Sequence, residues 1–111
     1  MPNLIYKVIL EAPAVKDARG YAAYILNESK NPVPAAKWLS ELEEAVSELS
    51  EMPRRFRVIE EQEFFPIELR QFLHHSHRVI FHVNDQTSTV HILRVYHAHR
   101  DILKPGAIAE V

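Results

Sequence analysis

Two runs rich in β-branched and aromatic residues, Arg78–Asn84 and Val90–His97, flank the polar segment Asp85-Gln86-Thr87-Ser88-Thr89. That pattern spells a β-hairpin. Its alternation decides which side chains share a face, because strand side chains repeat with period two. With all five polar residues in the turn, Arg78 lies opposite Tyr96, Ile80 opposite Arg94 and His82 opposite Ile92. Those residues form one face. Val79, Phe81, Val83, Leu93 and Val95 form the other, which should pack on the rest of the chain. A third strand is expected upstream over Ile67–His74, with Ile67, Leu69 and Leu73 on one side and Glu68, Arg70 and His74 on the other. Continued across His75-Ser76-His77, the alternation brings Arg70 and His74 to the Arg78 face. The register therefore predicts a concave or flat sheet face carrying Arg70, Arg78, His82, Arg94 and Tyr96.

The N-terminal half supplies what the apolar face packs against. Leu4–Leu10 reads as a buried strand. Pro13 suits a first helical turn, and Ala14, Ala18, Tyr21, Ala22 and Ile25 follow at helical spacing to an end near Asn27–Lys30. After Asn31-Pro32-Val33, Pro34 is placed to open a second helix. Its stripe is Ala35, Trp38, Leu39, Leu42, Ala45, Val46 and Leu49, with glutamates opposite and Pro53 as the stop. The expected fold is α+β: an N-terminal strand, an antiparallel helical hairpin, then three antiparallel strands in a mainly antiparallel sheet. Residues 1–104 read as a single domain and 105–111 as a flexible C-terminal tail. Arg54–Pro66 has no periodicity, and its role stays open between covering the sheet, contacting a target and moving freely.

Charge is unevenly spread. The formal net charge is −2, yet between Leu69 and Arg100 the cations Arg70, Arg78, Arg94 and Arg100 face Asp85 as the sole acid, and all seven histidines fall between His74 and His99. One basic face can coexist with a net negative charge. Three arginines on a sheet suit phosphate, because a guanidinium donates in a planar fork. The competing reading pairs them with carboxylates such as Glu68. The chain has no cysteine, no apolar run near the ~20 residues that span a bilayer, and no basic-then-apolar start at Met1-Pro2-Asn3-Leu4. A cytoplasmic protein with no membrane association is the expectation.

Several chemistries are disfavoured. There is no GxSxG for a serine nucleophile. Gly20 and Gly106 are the only glycines, too few for a phosphate-cradling loop. His74-His75-Ser76-His77 has the look of a metal cluster, but neighbours on a strand point to opposite faces, so only His75 and His77 are expected to share a side. His97 and His99 lack a third partner, and no metal or other cofactor is expected. Trp38, Tyr21 and Tyr24 read as core aromatics.

In order and spacing, Glu68-Leu69-Arg70, His77–Val83 and Val90–Asp101 resemble the RelE/ParE toxin superfamily. That family shows an "LR" on one strand, a "YRVIY-V" strand and a last strand ending "V-H---D". Met52-Pro53-Arg54-Arg55-Phe56 also resembles its helical-hairpin stop. The resemblance runs from about Ile5 to Asp101. It implies the toxin of a type II toxin–antitoxin system, of the plasmid-stabilisation kind, bound by a cognate antitoxin whose disordered segment folds on it. A homodimer or a toxin–antitoxin heterotetramer is the assembly to expect.

The family's two branches imply different chemistry. RelE-type members are ribosome-dependent endoribonucleases that cleave mRNA without metal, and ParE-type members poison DNA gyrase. The first would place Arg78, Arg94 and His97 in catalysis. The second would leave Arg70, Arg78, Arg94 and Tyr96 as target-binding or phosphate-binding groups. Arg78 matches a RelE-type arginine at the phosphate. The paired lysines of the Ile67–His74 strand are absent, with Glu68 in that region, and the chain ends His97-Ala98-His99-Arg100-Asp101 in place of a lysine–arginine cluster and tyrosine. Those departures favour the gyrase poison over the RNase, with a non-toxic degenerate binding module as a third reading.

Overall fold

The computed structural model describes residues 5–108. Strand β1 (Lys7–Leu10) leads into helices α1 (Ala12–Ser29) and α2 (Pro32–Ser47), and strands β2 (Arg70–His74), β3 (His77–Asn84) and β4 (Thr89–His97) follow. The sheet order is β1-β4-β3-β2. β1 runs parallel to β4, while β2, β3 and β4 are antiparallel neighbours. The α+β fold expected from sequence is the fold observed, and the sheet is mixed because β1 inserts beside the last strand. Leu4 of the expected first strand lies outside the described residues.

The helices form where their apolar stripes demand. Ala14, Ala18 and Ala22 are the buried residues of α1, and their small side chains let its backbone approach the sheet. The helix ends at a left-handed Lys30 (φ 56°) whose N–H returns to the Leu26 carbonyl. α2 begins two residues before Pro34, because the Asn31 side chain accepts the Val33 N–H at 3.0 Å and Pro32 tolerates a first-turn position. It also ends before Pro53. A 3-10 turn over Glu48–Ser50 seats the fully buried Leu49, and Met52 turns left-handed (φ 47°) just ahead of the proline.

The main core lies between the sheet and the helices. It joins Ala14, Ala18, Trp38, Leu42, Val46 and Leu49 to Val79, Phe81, Val83, Val90, Ile92 and Val95. The other sheet face is also covered, so that of the roles left open for Arg54–Pro66 the structure shows the covering one. Ile59, Phe65 and Ile67 from the long connection, and Leu103, Ala107 and Ile108 from the C-terminal segment, pack on Leu69, Ile80, Leu93 and Tyr96. The connection is pinned there by Gln62, whose amide donates to the Ile67 carbonyl (2.6 Å) and accepts the Leu69 N–H (2.6 Å). Of the tail expected to be flexible, Ala107 and Ile108 join this second core, and residues 109–111 lie outside the described residues.

The β3–β4 register rests on two offsetting irregularities. Asn84 pairs with Thr89, so the loop holds four residues where five were expected. A bulge then inserts Leu93 between the pairs Phe81–Ile92 and Ile80–Arg94. Beyond it the expected pairs Ile80–Arg94 and Arg78–Tyr96 hold. Before it they do not: His82 faces His91, Ile92 turns to the helices, and Leu93 joins the opposite core. β2 departs as well. Arg70 pairs with Phe81 and His74 with His77, which places both on the helix side and leaves Gln71 and Leu73 on the Arg78 face. The sequence expectation counted the turn His75-Ser76 as continuous strand, and that shifts the parity by one.

Candidate functional site

Each arginine proposed for the sheet face is held by a carboxylate. Arg78, on β3, donates from Nη1 and Nη2 to the Glu61 oxygens at 2.8 and 2.9 Å, and from Nε to Gln71 Oε1 at 2.7 Å. Arg94 meets Asp17 of α1 through Nε (2.8 Å) and Nη2 (3.0 Å), while its Nη1 donates to the Ala107 carbonyl. Both are bidentate forks, the strongest geometry a guanidinium offers a carboxylate. Glu61's carboxyl is held below its usual range, chiefly by the Arg78 hydrogen bonds. Arg70 binds Glu68 (Nε to Oε1, 3.0 Å) and donates to the Phe56 carbonyl (2.6 Å), stapling the connection to the sheet.

Tyr96 sits between the two forks. It is buried, and the Arg94 guanidinium lies 4.5 Å from its ring centroid, a cation–π distance. Burial pushes its phenol above the usual range. A hollow of about 260 Å³ on the Arg78 side is lined by Arg57, Glu60 and Glu61 among others. A second, of about 410 Å³, holds Arg94, Tyr96, Arg100 and Lys104. His82, expected on this face, donates its Nδ1–H to the Glu68 carbonyl at 2.9 Å.

His97 closes the end of β4. Its Nδ1 faces the backbone N–H groups of His99 and Arg100, both at 3.2 Å. Nδ1 is therefore the acceptor, and the neutral ring carries its proton on Nε2. Asp101 Oδ2 takes the His97 N–H at 2.7 Å. The strand end is thus a turn closed on itself by its own side chains.

The partners Asp17, Glu61 and Gln71 were not foreseen from sequence. Asp17 carried a signal: it falls among Ala14, Ala18 and Tyr21, in a slot of the inward stripe where a carboxylate needs a partner. Glu61 carried none, since nothing local selects it from Glu60 and Glu63.

The histidine run folds differently from the expectation that pairs His75 with His77. His75 takes a left-handed conformation (φ 53°), which swings its ring to 4.6 Å from that of His74 and to a 2.8 Å hydrogen bond with Glu41. His77 is buried against Tyr21 and Trp38, its ring centroid 4.0 Å from Tyr21 and 5.3 Å from Trp38.

A family model described as the ParE toxin of the type II toxin–antitoxin system parDE matches residues 8–102. The chain belongs to the ParE toxin family. That span runs from β1 of the ParE-family fold to the turn after β4, so it includes both arginine forks. The ParE-family chain is also similar in fold to the solved toxin–antitoxin complex RelBE2 from Mycobacterium tuberculosis, with a TM-score of 0.54 and 22% identity over 84% of this chain and 98% of that one. No curated protein matches it in sequence. Among the described residues of this ParE-family member, no helix is long and apolar enough to cross a membrane.

Proposed function

We propose that this ParE-family toxin acts by poisoning DNA gyrase, not by cleaving RNA, and that a cognate antitoxin neutralises it. The observation that carries this reading is the neutralisation of Arg78 and Arg94 by Glu61 and Asp17. A metal-independent RNase needs free cations at the scissile phosphate and a base for the 2′-hydroxyl. Here the candidate cations are spent on internal carboxylates, and the candidate base His97 spends its Nδ1 lone pair on two backbone N–H groups. Membership of the ParE family supports the same target. The antitoxin is proposed because the solved fold relative is a toxin–antitoxin complex.

The test is direct. Purified toxin added to gyrase and plasmid should block supercoiling and accumulate cleaved DNA, while mRNA in a translating extract stays intact. Message cut on translating ribosomes with supercoiling unaffected would reverse the assignment. Induced expression alone should be toxic, and co-expression of the cognate antitoxin should relieve that toxicity.

A further inference from the structure

His74 is an anomaly of the helix-side core. It ends β2 with 7% of its surface exposed, and its Nε2 is buried without a hydrogen-bond partner among the described residues. Buried polar atoms are nearly always satisfied, so an orphaned imidazole nitrogen asks for an explanation. Its neighbours supply one. The left-handed turn at His75 brings that ring beside His74, and both meet Glu41, one turn along α2 from Trp38. Glu41, His74 and His75 each offer a ligand atom, and the three atoms lie within 4.8 Å of one another.

We propose that Glu41, His74 and His75 bind one divalent transition-metal ion of the Zn²⁺ class, clamping the β2–β3 turn to helix α2. Two imidazoles and one carboxylate are the donor set of three-ligand zinc sites, which leave a fourth position open. Nitrogen donors select Zn²⁺, Ni²⁺ or Cu²⁺ over Mg²⁺ and Ca²⁺, which take oxygen. With metal–ligand bonds of ~2.0–2.1 Å, tetrahedral ligand atoms stand about 3.3 Å apart. Closing from 4.8 Å falls to His75 and Glu41, whose side chains are 59% and 36% exposed and so have room to rotate. On binding, the metal takes the place of the proton that bridges His75 Nε2 and Glu41 at 2.8 Å, and the neutral ring keeps that proton by moving it to Nδ1, which frees the Nε2 lone pair to ligate. Lys37, whose Nζ is 3.9 Å from Glu41, is the one cation paired with this carboxylate among the described residues and must swing aside.

Trp38 makes the site observable. It is the only tryptophan, and its ring centroid is 5.7 Å from that of His74. Tag-free, chelator-treated protein titrated with Cu²⁺ or Ni²⁺ should lose tryptophan fluorescence with a break at one ion per chain. Excess Zn²⁺ should restore it, and Mg²⁺ should not. His75→Ala and Glu41→Gln, both at partly exposed positions, should each weaken binding by more than about tenfold, the loss that even an outer-shell change produces. His99→Ala tests the His97–His99 pair as a competing surface site and should bind as wild type. Circular dichroism confirms that each variant is folded. Absence of stoichiometric quenching, or binding retained in His75→Ala, overturns the proposal.

Discussion

Asp17 on the first helix holds Arg94 on the last strand through two parallel hydrogen bonds, Oδ2 to Nε at 2.8 Å and Oδ1 to Nη2 at 3.0 Å. The same Oδ2 accepts the Val95 N–H at 3.0 Å. This second bond explains the first. β1 pairs with Thr89–Ile92, so past Ile92 the edge of β4 has no strand to bond to among the described residues. Asp17 serves that edge in place of β1, and the arginine balances the charge this brings into a partly buried place.

Replacing Asp17 with alanine should therefore cost more than a surface ion pair. It strands both the Val95 N–H and the Arg94 guanidinium. Hydrogen bonds to charged groups are worth ~1.5–3 kcal/mol each, and the loss expected in urea denaturation is about 2–4 kcal/mol. Arg94→Ala leaves the Asp17–Val95 bond in place and should cost less. Equal losses for the two variants would mean that the edge N–H is simply rehydrated.

The Arg78–Glu61 fork ties the long connection down in the same manner. Arg78→Ala should release residues 57–67 from the sheet, read as faster hydrogen exchange in that segment with β3 and β4 still protected. A stability loss of about 1–3 kcal/mol is expected. Glu61's depressed carboxyl adds a pH dependence. Its contribution is present above the ordinary glutamate range and is lost as the pH falls through its lower folded value. Unchanged exchange over 57–67 in Arg78→Ala would show that Gln62 and the apolar contacts suffice.

The opposite end of the sheet has its own anchor. Tyr6 donates its hydroxyl to Asp85 Oδ1 at 2.7 Å, and Arg54 binds both oxygens of that carboxylate at 2.8 Å. The Asp85 hydrogen bond is the first cause raising the Tyr6 phenol above its usual range. Following tyrosinate absorbance through an alkaline titration, Asp85→Asn should bring one phenol back to lower pH. A titration curve that the substitution does not shift would remove Asp85 as the cause.

Legibility in the sequence follows the range of the interaction. The helices and strands were visible because the Ala14–Ile25 and Ala35–Leu49 stripes and the β3–β4 alternation are local patterns. The Arg78–Tyr96 and Ile80–Arg94 pairs were anticipated correctly because the short turn and the Leu93 bulge cancel. Between the turn and the bulge, His82 keeps the Arg78 face but pairs with His91 in place of Ile92, and Ile92 and Leu93 fall on the faces opposite to those expected, since no local residue announces either irregularity. Arg70 and His74 were put on the wrong face because His75 was counted as strand when it adopts a left-handed turn. The partners of the arginines come from 17 and 77 residues away in Glu61 and Asp17, a distance over which periodicity says nothing.

His77 provides the last prediction. It is 3% exposed, its Nδ1 has no hydrogen-bond partner among the described residues, and the rings of Tyr21, Trp38 and His97 surround it. Burial first, then the His97 charge, lowers its pKa from 6.5 to about 4, with Asp101 opposing and His74 and Arg100 reinforcing. Between those values the unfolded chain takes up a proton that the folded chain refuses. Stability is therefore full above pH 6.5 and falls as the pH drops toward 4, by up to about 3 kcal/mol. Below 4 both states are protonated and this residue adds no further slope. His77→Phe keeps a ring among the three aromatics and removes the titration, so its stability should vary much less than wild type across that window. His74, whose pKa burial also lowers, leaves a residual slope of the same sign. Parallel curves for the wild type and His77→Phe would show that the buried imidazole is not what makes the fold acid-labile.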